Sequence, residues 1–197
     1  MLTNFSNWIV KALSESGLIS EKDKDIYSFG VQTALLKMIH FSTMLIVGLF
    51  LGMLLETFVF IVSYSFLRVY AGGYHAKTKL GCYGMSWVMI LFVLLLTKFC
   101  PGYMAFITSI AVLIPASLII VILAPVENIN KPLDDAEVHH YRRKTRIILS
   151  VEFIVTIIFL LISSIQFSFI VSLSIFWVSV MLILGKAQMM MVDNVSV

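Results

Sequence analysis

The chain reads as an all-α integral membrane protein, with six transmembrane helices preceded by an amphipathic interfacial helix. Three observations predict this class. Hydrophobic residues fill 60% of the 197 positions and charged residues only 13%, too few charges to cover a soluble domain of this length. The apolar residues fall in runs longer than buried globular helices use. Lastly, all of the 14 basic residues except Lys98 lie in the terminal segments or in alternate connections between those runs. That bias marks cytoplasmic loops and predicts a cell-membrane protein with both termini in the cytoplasm.

Each element follows in order. Residues 1–20 lack the basic leader, apolar core and small-residue cleavage site of a signal peptide. Phe5, Trp8, Ile9, Ala12 and Leu13 instead recur at helical spacing, opposite Asn4, Asn7, Lys11, Ser14 and Glu15. That pattern fits a helix lying on a membrane surface. Ser20-Glu-Lys-Asp23 resembles a capping box and predicts a helix start, with Ile26, Phe29, Gly30 and Thr33 along one side.

Lys37 and His40 mark the entry to a first span near 38–55, which Glu56 ends. A second span, near 57–74, rests on the short apolar run from Thr57 to Leu67 and crosses only if Val69 to Tyr74 continue it. The third, near 83–99, follows Cys82. The fourth, near 103–124, contains Pro115, where a kink is expected. Beyond a polar stretch, two further spans are expected near 147–162 and 167–184. Within that stretch Pro132 and Asp134-x-x-Glu137 predict a helix start. The cluster Arg142-Arg143-Lys144-Thr-Arg146 would bind anionic membrane lipids. No internal repeat is evident, and the whole chain, 1–197, is expected to form one domain.

The chemistry concentrates in a basic, glycine-rich stretch from Arg68 to Cys82, wedged between apolar runs at the cytoplasmic boundary. A thiol and an imidazole, Cys82 and His75, are the minimal parts of a cysteine nucleophile, the imidazole taking the proton and stabilising the thiolate. On a regular helix their Cα atoms would stand roughly 10 Å apart along the axis, and His75 would lean away from Cys82. The segment between Gly72 and Gly84 must therefore bend for the pair to meet. Gly72, Gly73, Gly81 and Gly84 supply the backbone freedom, and Lys77-Thr78-Lys79 forms a polar turn between them. Cys82 and Cys100 fall on opposite sides of the bilayer and cannot pair.

Other chemistries lack their signatures. His75, Cys82, His139 and His140 show no metal-site spacing, and no nucleophile elbow or phosphate-cradling loop is present. No metal, cofactor or nucleic-acid partner is expected. Glu152 lies within the fifth span, where an ionisable residue needs a partner or a polar cavity. It would pair with Arg146 or help order the site.

Arg68, Ala71-Gly72-Gly73, His75 and Cys82 resemble the signature of the accessory gene regulator B (AgrB) family of bacterial membrane cysteine endopeptidases, which mature quorum-sensing peptides. Ala124-Pro125 and Asn130-Lys131-Pro132-Leu133 resemble that family's loop after the fourth span. The resemblance implies Cys82 as nucleophile and His75 as its base. It also marks Arg68 and Gly73 as important, the arginine anchoring the loop or an acidic substrate group and the glycine permitting the bend. Gly72, Lys77, Lys79, Lys131 and Glu152 complete the candidates for substrate binding or site ordering. The family's loop can hold a denser lysine run than the single Lys131 here.

The implied substrate is a short AgrD-like propeptide. Cys82 would attack a carbonyl near its C-terminal side, release the tail and hold the rest as a thioester. An internal cysteine or serine of the substrate would then displace Cys82 and close a thiolactone or lactone ring. Such a site must favour the tethered nucleophile and exclude water. The rival reading is a non-enzymatic peptide transporter or export channel, supported by Glu152, Pro115 and the broken second run; an interaction scaffold is a third. Helix-packing faces also leave room for a homodimer.

Overall fold

The computed structural model describes residues 2–74, 76, 78–127 and 133–195. Among them the regular elements are all helical, apart from one isolated backbone bridge. They are α1 (Leu2–Glu15), a 3-10 turn (Glu21–Asp23), α2 (Lys24–Phe50), α3 (Leu54–Ala71), α4 (Lys79–Phe99), α5 (Gly102–Leu123), α6 (Asp135–Leu161) and α7 (Ile165–Val195). The chain divides into two compact units, residues 1–47 and 48–197.

The first unit is α1 with most of α2. Ser6 Oγ donates to Ser28 O at 3.0 Å, and Ser28 Oγ donates to Asn7 Oδ1 at 3.0 Å. Val10 is buried, whereas Phe5 and Trp8 stay exposed and stack on each other with centroids 6.0 Å apart. Within this unit the aromatic face of α1 is therefore left uncovered. The expected capping box at Ser20 does not form. Ser20 Oγ donates instead to Asp23 Oδ2 at 2.7 Å, leaving no side-chain cap on the backbone.

In the second unit α2 ends in a tight turn through Gly52, whose φ of 71° favours glycine. Met53 N donates to Gly48 O at 2.7 Å. A Cβ on Gly48 would fall 2.1 Å from Thr57 Oγ1, so close approach of the two helix ends requires a glycine there. This turn moves the boundary read from the sequence. Glu56 does not end the first apolar helix; it sits in the first turn of α3, where the positive helix end suits a carboxylate. Gln166 Nε2 donates to it at 3.0 Å. By starting at Leu54, α3 reaches 18 residues, about 27 Å, without the residues after Ala71.

α6 begins where the sequence indicates. Asp134 Oδ1 accepts from Glu137 N at 2.6 Å, and Glu137 Oε2 accepts from Asp134 N at 3.4 Å, forming a capping box. The helix continues unbroken from this polar start into its apolar half. α7 is the central helix, packing on α5, α3, α6 and α4. Leu67, Leu113, Ile120, Ile175, Val178 and Leu182 form the core between these helices. Among the described residues, five helices (α2, α3, α4, α5 and α7) are long and apolar enough to cross a membrane. The molecule is a multi-pass membrane protein.

Candidate active site

The site begins where α3 stops. Gly72 and Gly73 take φ values of 73° and 107°, a region that side-chain-bearing residues rarely adopt. The chain leaves the helix in an extended path fixed by backbone hydrogen bonds on two sides. Toward the α5–α6 connection, Val126 N donates to Ala71 O at 2.9 Å and Gly73 N donates to Val126 O at 3.1 Å, a parallel bridge beside the cis Ala124–Pro125 bond. Toward the central helix, Tyr74 N donates to Met181 O at 2.8 Å.

Only glycine fits at three points of this contact. A Cβ on Gly72 would lie 2.1 Å from Val126 O, and one on Gly73 would lie 2.6 Å from both Met181 O and Arg68 Nη1. On α7 a Cβ at Gly185 would lie 2.5 Å from Tyr74 N and 2.6 Å from Gly73 C. These neighbours are largely backbone, which cannot move aside as a flexible side chain can.

Arg68, half-buried in the last turn of α3, ties the loop back to its helix. Its Nη2 donates to Tyr74 O. The Tyr64 hydroxyl, one turn earlier, lies against the guanidinium. Nη1 is buried with no hydrogen-bond partner among the described residues. The Cys82 sulfur is close enough that its charge, when ionised, acts on both Arg68 and Tyr64.

Cys82 belongs to the first turns of α4 rather than to the loop ahead of it. Thr78 is the N-cap. Its Oγ1 accepts from Gly81 N at 3.0 Å, and its backbone O accepts from Cys82 N at 3.0 Å. The thiol is free and exposed. A helix N-terminus carries partial positive charge, so an anionic sulfur or a developing oxyanion beside it is stabilised. Cys100, also free, caps the other end of α4, about 27 Å away along the axis. No disulfide can join them.

The chain from Gly72 to Gly84 is thus not one straight helix: α3 stops at Ala71 and α4 starts at Lys79. His75 lies outside the described residues, as do Lys77 and Lys131. Lys79 opens α4. Glu152 lies apart from the loop, buried on α6. Its carboxyl group lies against Ser63 of α3, with Oε2 buried and without a hydrogen-bond partner among the described residues, and the Ser63 hydroxyl meets that of Ser174 on α7. Arg146 is exposed, and no ion pair joins it to Glu152 among the described residues. Four positions of the loop anchorage escaped the sequence reading: Tyr64, Val126, Met181 and Gly185. Gly185 alone left a trace, since a lone glycine inside a helical run hints at close approach of another backbone.

A sequence profile of the accessory gene regulator B family, AgrB, matches residues 3–182. An AgrB-like protein of Clostridium perfringens strain SM101 is 26% identical over 139 residues, 68% of this chain and 64% of the relative. A second AgrB-like protein, from C. perfringens strain 13, is 26% identical over 138 residues with the same coverage. The matched region thus spans just under two thirds of the length of these relatives. No solved structure matches the chain. With the profile running through nearly all of its helices, the chain belongs to the accessory gene regulator B family.

Proposed function

We propose that this protein is a membrane cysteine endopeptidase that cleaves an AgrD-like quorum-sensing propeptide and promotes its cyclisation. Cys82 is the nucleophile and His75 the base that takes its proton. The observation that carries this reading is the placement of Cys82: an exposed thiol in the first turns of α4, next to a loop pinned on three sides. Nothing in the packing of the bundle calls for an exposed thiol there, whereas a nucleophile needs access to substrate.

The remaining residues take supporting parts. Arg68 anchors the loop by holding Tyr74. Gly72 and Gly73 allow the loop its path toward His75. Lys77, Lys79 and Lys131 provide positive charge for an acidic propeptide tail. Attack of the Cys82 sulfur on the scissile carbonyl expels the tail amine, which takes the proton, and leaves a thioester. A tethered thiol or hydroxyl of the substrate then displaces Cys82, ring closure competing with water through proximity. Glu152 helps order the bundle behind the site through Ser63.

In this reading α6 is a sixth span, both termini are cytoplasmic, and α1 lies on the membrane surface with its exposed aromatic face in the lipid. The cluster from Arg142 to Arg146 sits at anionic headgroups, and a homodimer is compatible with the exposed helix faces. The test is cleavage by purified protein in lipid with its propeptide. Release of a C-terminal fragment and a thioester adduct on Cys82 are expected, both lost in Cys82→Ala. His75→Ala should lose acyl-enzyme formation. Undiminished cleavage by Cys82→Ala at normal abundance would overturn the assignment. The buried carboxyl group of Glu152 is the one observation favouring a transporter, and a Cys82 adduct formed in detergent without any gradient would exclude that as the sole activity.

A further inference from the structure

At the end of the bundle far from Cys82, the second unit holds a cleft of about 660 Å³. Three helix connections meet there: Leu51–Met53 between α2 and α3, the Cys100 turn between α4 and α5, and Ser163–Ser164 between α6 and α7. Its walls carry one charge of each sign, Glu56 and Lys98. Lys98 Nζ donates to Leu51 O at 3.1 Å, and Glu56 Oε1 accepts from Gln166 Nε2 at 3.0 Å. Each charged group therefore keeps further hydrogen-bonding capacity.

Two features of the cleft call for an anion. α3 and α5 both begin here without a side-chain cap, at Met53 and Pro101. Their first N–H groups have no intrahelical acceptor, and the positive ends of both helices face this region. Independently, Thr97 is only 7% exposed and lines the cleft, yet its Oγ1 has no hydrogen-bond partner among the described residues. A hydroxyl so placed is left unsatisfied unless something in the cleft meets it.

Glu56 decides the kind of anion. Beside this carboxylate a purely anionic group would be repelled, whereas a molecule carrying an ammonium as well would meet both charges. Apolar surface decides its setting. Phe167 and Phe169 line the cleft, and Phe50, Phe99 and Leu161, at the same ends of their helices, are at least three-quarters exposed. Such side chains suit acyl chains rather than water.

The geometry points to a phosphoethanolamine site, filled by the headgroup of phosphatidylethanolamine. The phosphate sits on Lys98, Thr97 and the uncapped helix ends, and the ammonium sits on Glu56. The site is separate from the chemistry at Cys82, since the sixteen-residue step along α4 from Cys82 to Lys98 sets them about 24 Å apart.

Native mass spectrometry of the delipidated full-length protein tests this, with dioleoyl phosphatidylethanolamine, phosphatidylcholine and phosphatidylglycerol titrated separately. Phosphatidylethanolamine should bind about tenfold more tightly than the other two, the worth of one charge-assisted hydrogen bond. Phosphatidylcholine has no ammonium hydrogen to offer Glu56, and phosphatidylglycerol has no cation. Glu56→Gln should remove about that preference, and Lys98→Ala should weaken binding of all three lipids by a similar factor. The near-isosteric Thr97→Val, the change least disturbing to the fold, should weaken binding several-fold. Competition by glycerophosphoethanolamine would show that the headgroup alone is recognised, whereas its failure to compete with lipid binding intact would assign the acyl contacts a necessary share. Equal binding of phosphatidylglycerol, or binding unchanged in all three variants, would overturn the proposal. Displacement by a zwitterionic dipeptide but not by glycerophosphoethanolamine would also overturn it, reassigning the cleft to peptides.

Discussion

Gly185 shows how far a single hydrogen atom can matter. The Gly73–Tyr74 backbone crosses α7 so closely that a methyl group at position 185 would overlap Tyr74 N and Gly73 C. Gly185→Ala should therefore push the loop off the helix, break the bond from Tyr74 N to Met181 O, and lower propeptide cleavage at least about tenfold, since small misplacements of reacting groups carry such costs. Helical content should stay unchanged, because alanine is the better helix former. Gly30→Ala, with open space around its Cβ, is the matched control. Wild-type cleavage by Gly185→Ala would mean that the loop needs no such fit. Arg68 makes a related point. Its planar fork holds Tyr74 O while facing Tyr64, and a lysine offers no such fork. Arg68→Lys should keep the fold and lose most cleavage, read as initial rates at saturating peptide.

At the scale of elements, the cap of α4 governs the position of the thiol. Thr78 Oγ1 satisfies Gly81 N, one residue before Cys82. Thr78→Ala should cost that turn about 1 kcal/mol and speed hydrogen exchange at the Gly81 and Cys82 amides, while Thr78→Ser preserves both. Exchange unchanged in the alanine variant would show that the turn is held by packing instead. α6 poses the opposite problem of an ionisable group within packed helices. Glu152 lies against Ser63, and a glutamine amide of the same shape would keep that polar contact. Burying a carboxylate is costly where burying an amide is less so. Glu152→Gln should accordingly leave the thermal midpoint in detergent unchanged or raised, and a fall of several degrees would show that the carboxyl group itself is required.

For the molecule as a whole, the second unit sorts its connections by end. The turns after Phe50, Phe99 and Leu161 share the cleft, whereas the Gly72 loop and Val126 meet at the other end. α6 closes this alternation by returning the chain from the Val126 end to the Ser163 end, as a sixth span would. The two native cysteines report the orientation directly. An impermeant maleimide applied to intact cells should label Cys100 and spare Cys82, and inverted vesicles should show the reverse. Labelling of both from one side would refute the six-span arrangement. A cysteine placed at Ser163 should follow Cys100.

Much of this was legible in the sequence because its causes are local. Long apolar runs cannot be solvated, so a multi-pass helical protein followed from hydropathy alone. Asp134 and Glu137 mark a helix start because the capping bonds they make reach only three residues. The need for a break in the helix between Gly72 and Gly84 followed from the pitch of a helix, and α3 stops at Ala71, beside Gly72 and Gly73. What lay beyond the sequence is what depends on contacts between distant segments. Glu56 read as the end of one helix and is the beginning of the next, because Gly48 and Thr57 pack closely enough to force the turn at Gly52. Glu152 read either as a partner for Arg146 or as a residue ordering the site, and it lies against Ser63, because the face of α6 that carries it turns toward α3. Above all, no local signal tied Gly185 or Met181 to the loop after Ala71. That connection exists only because α7 runs through the centre of the unit and offers a bare backbone where the loop crosses.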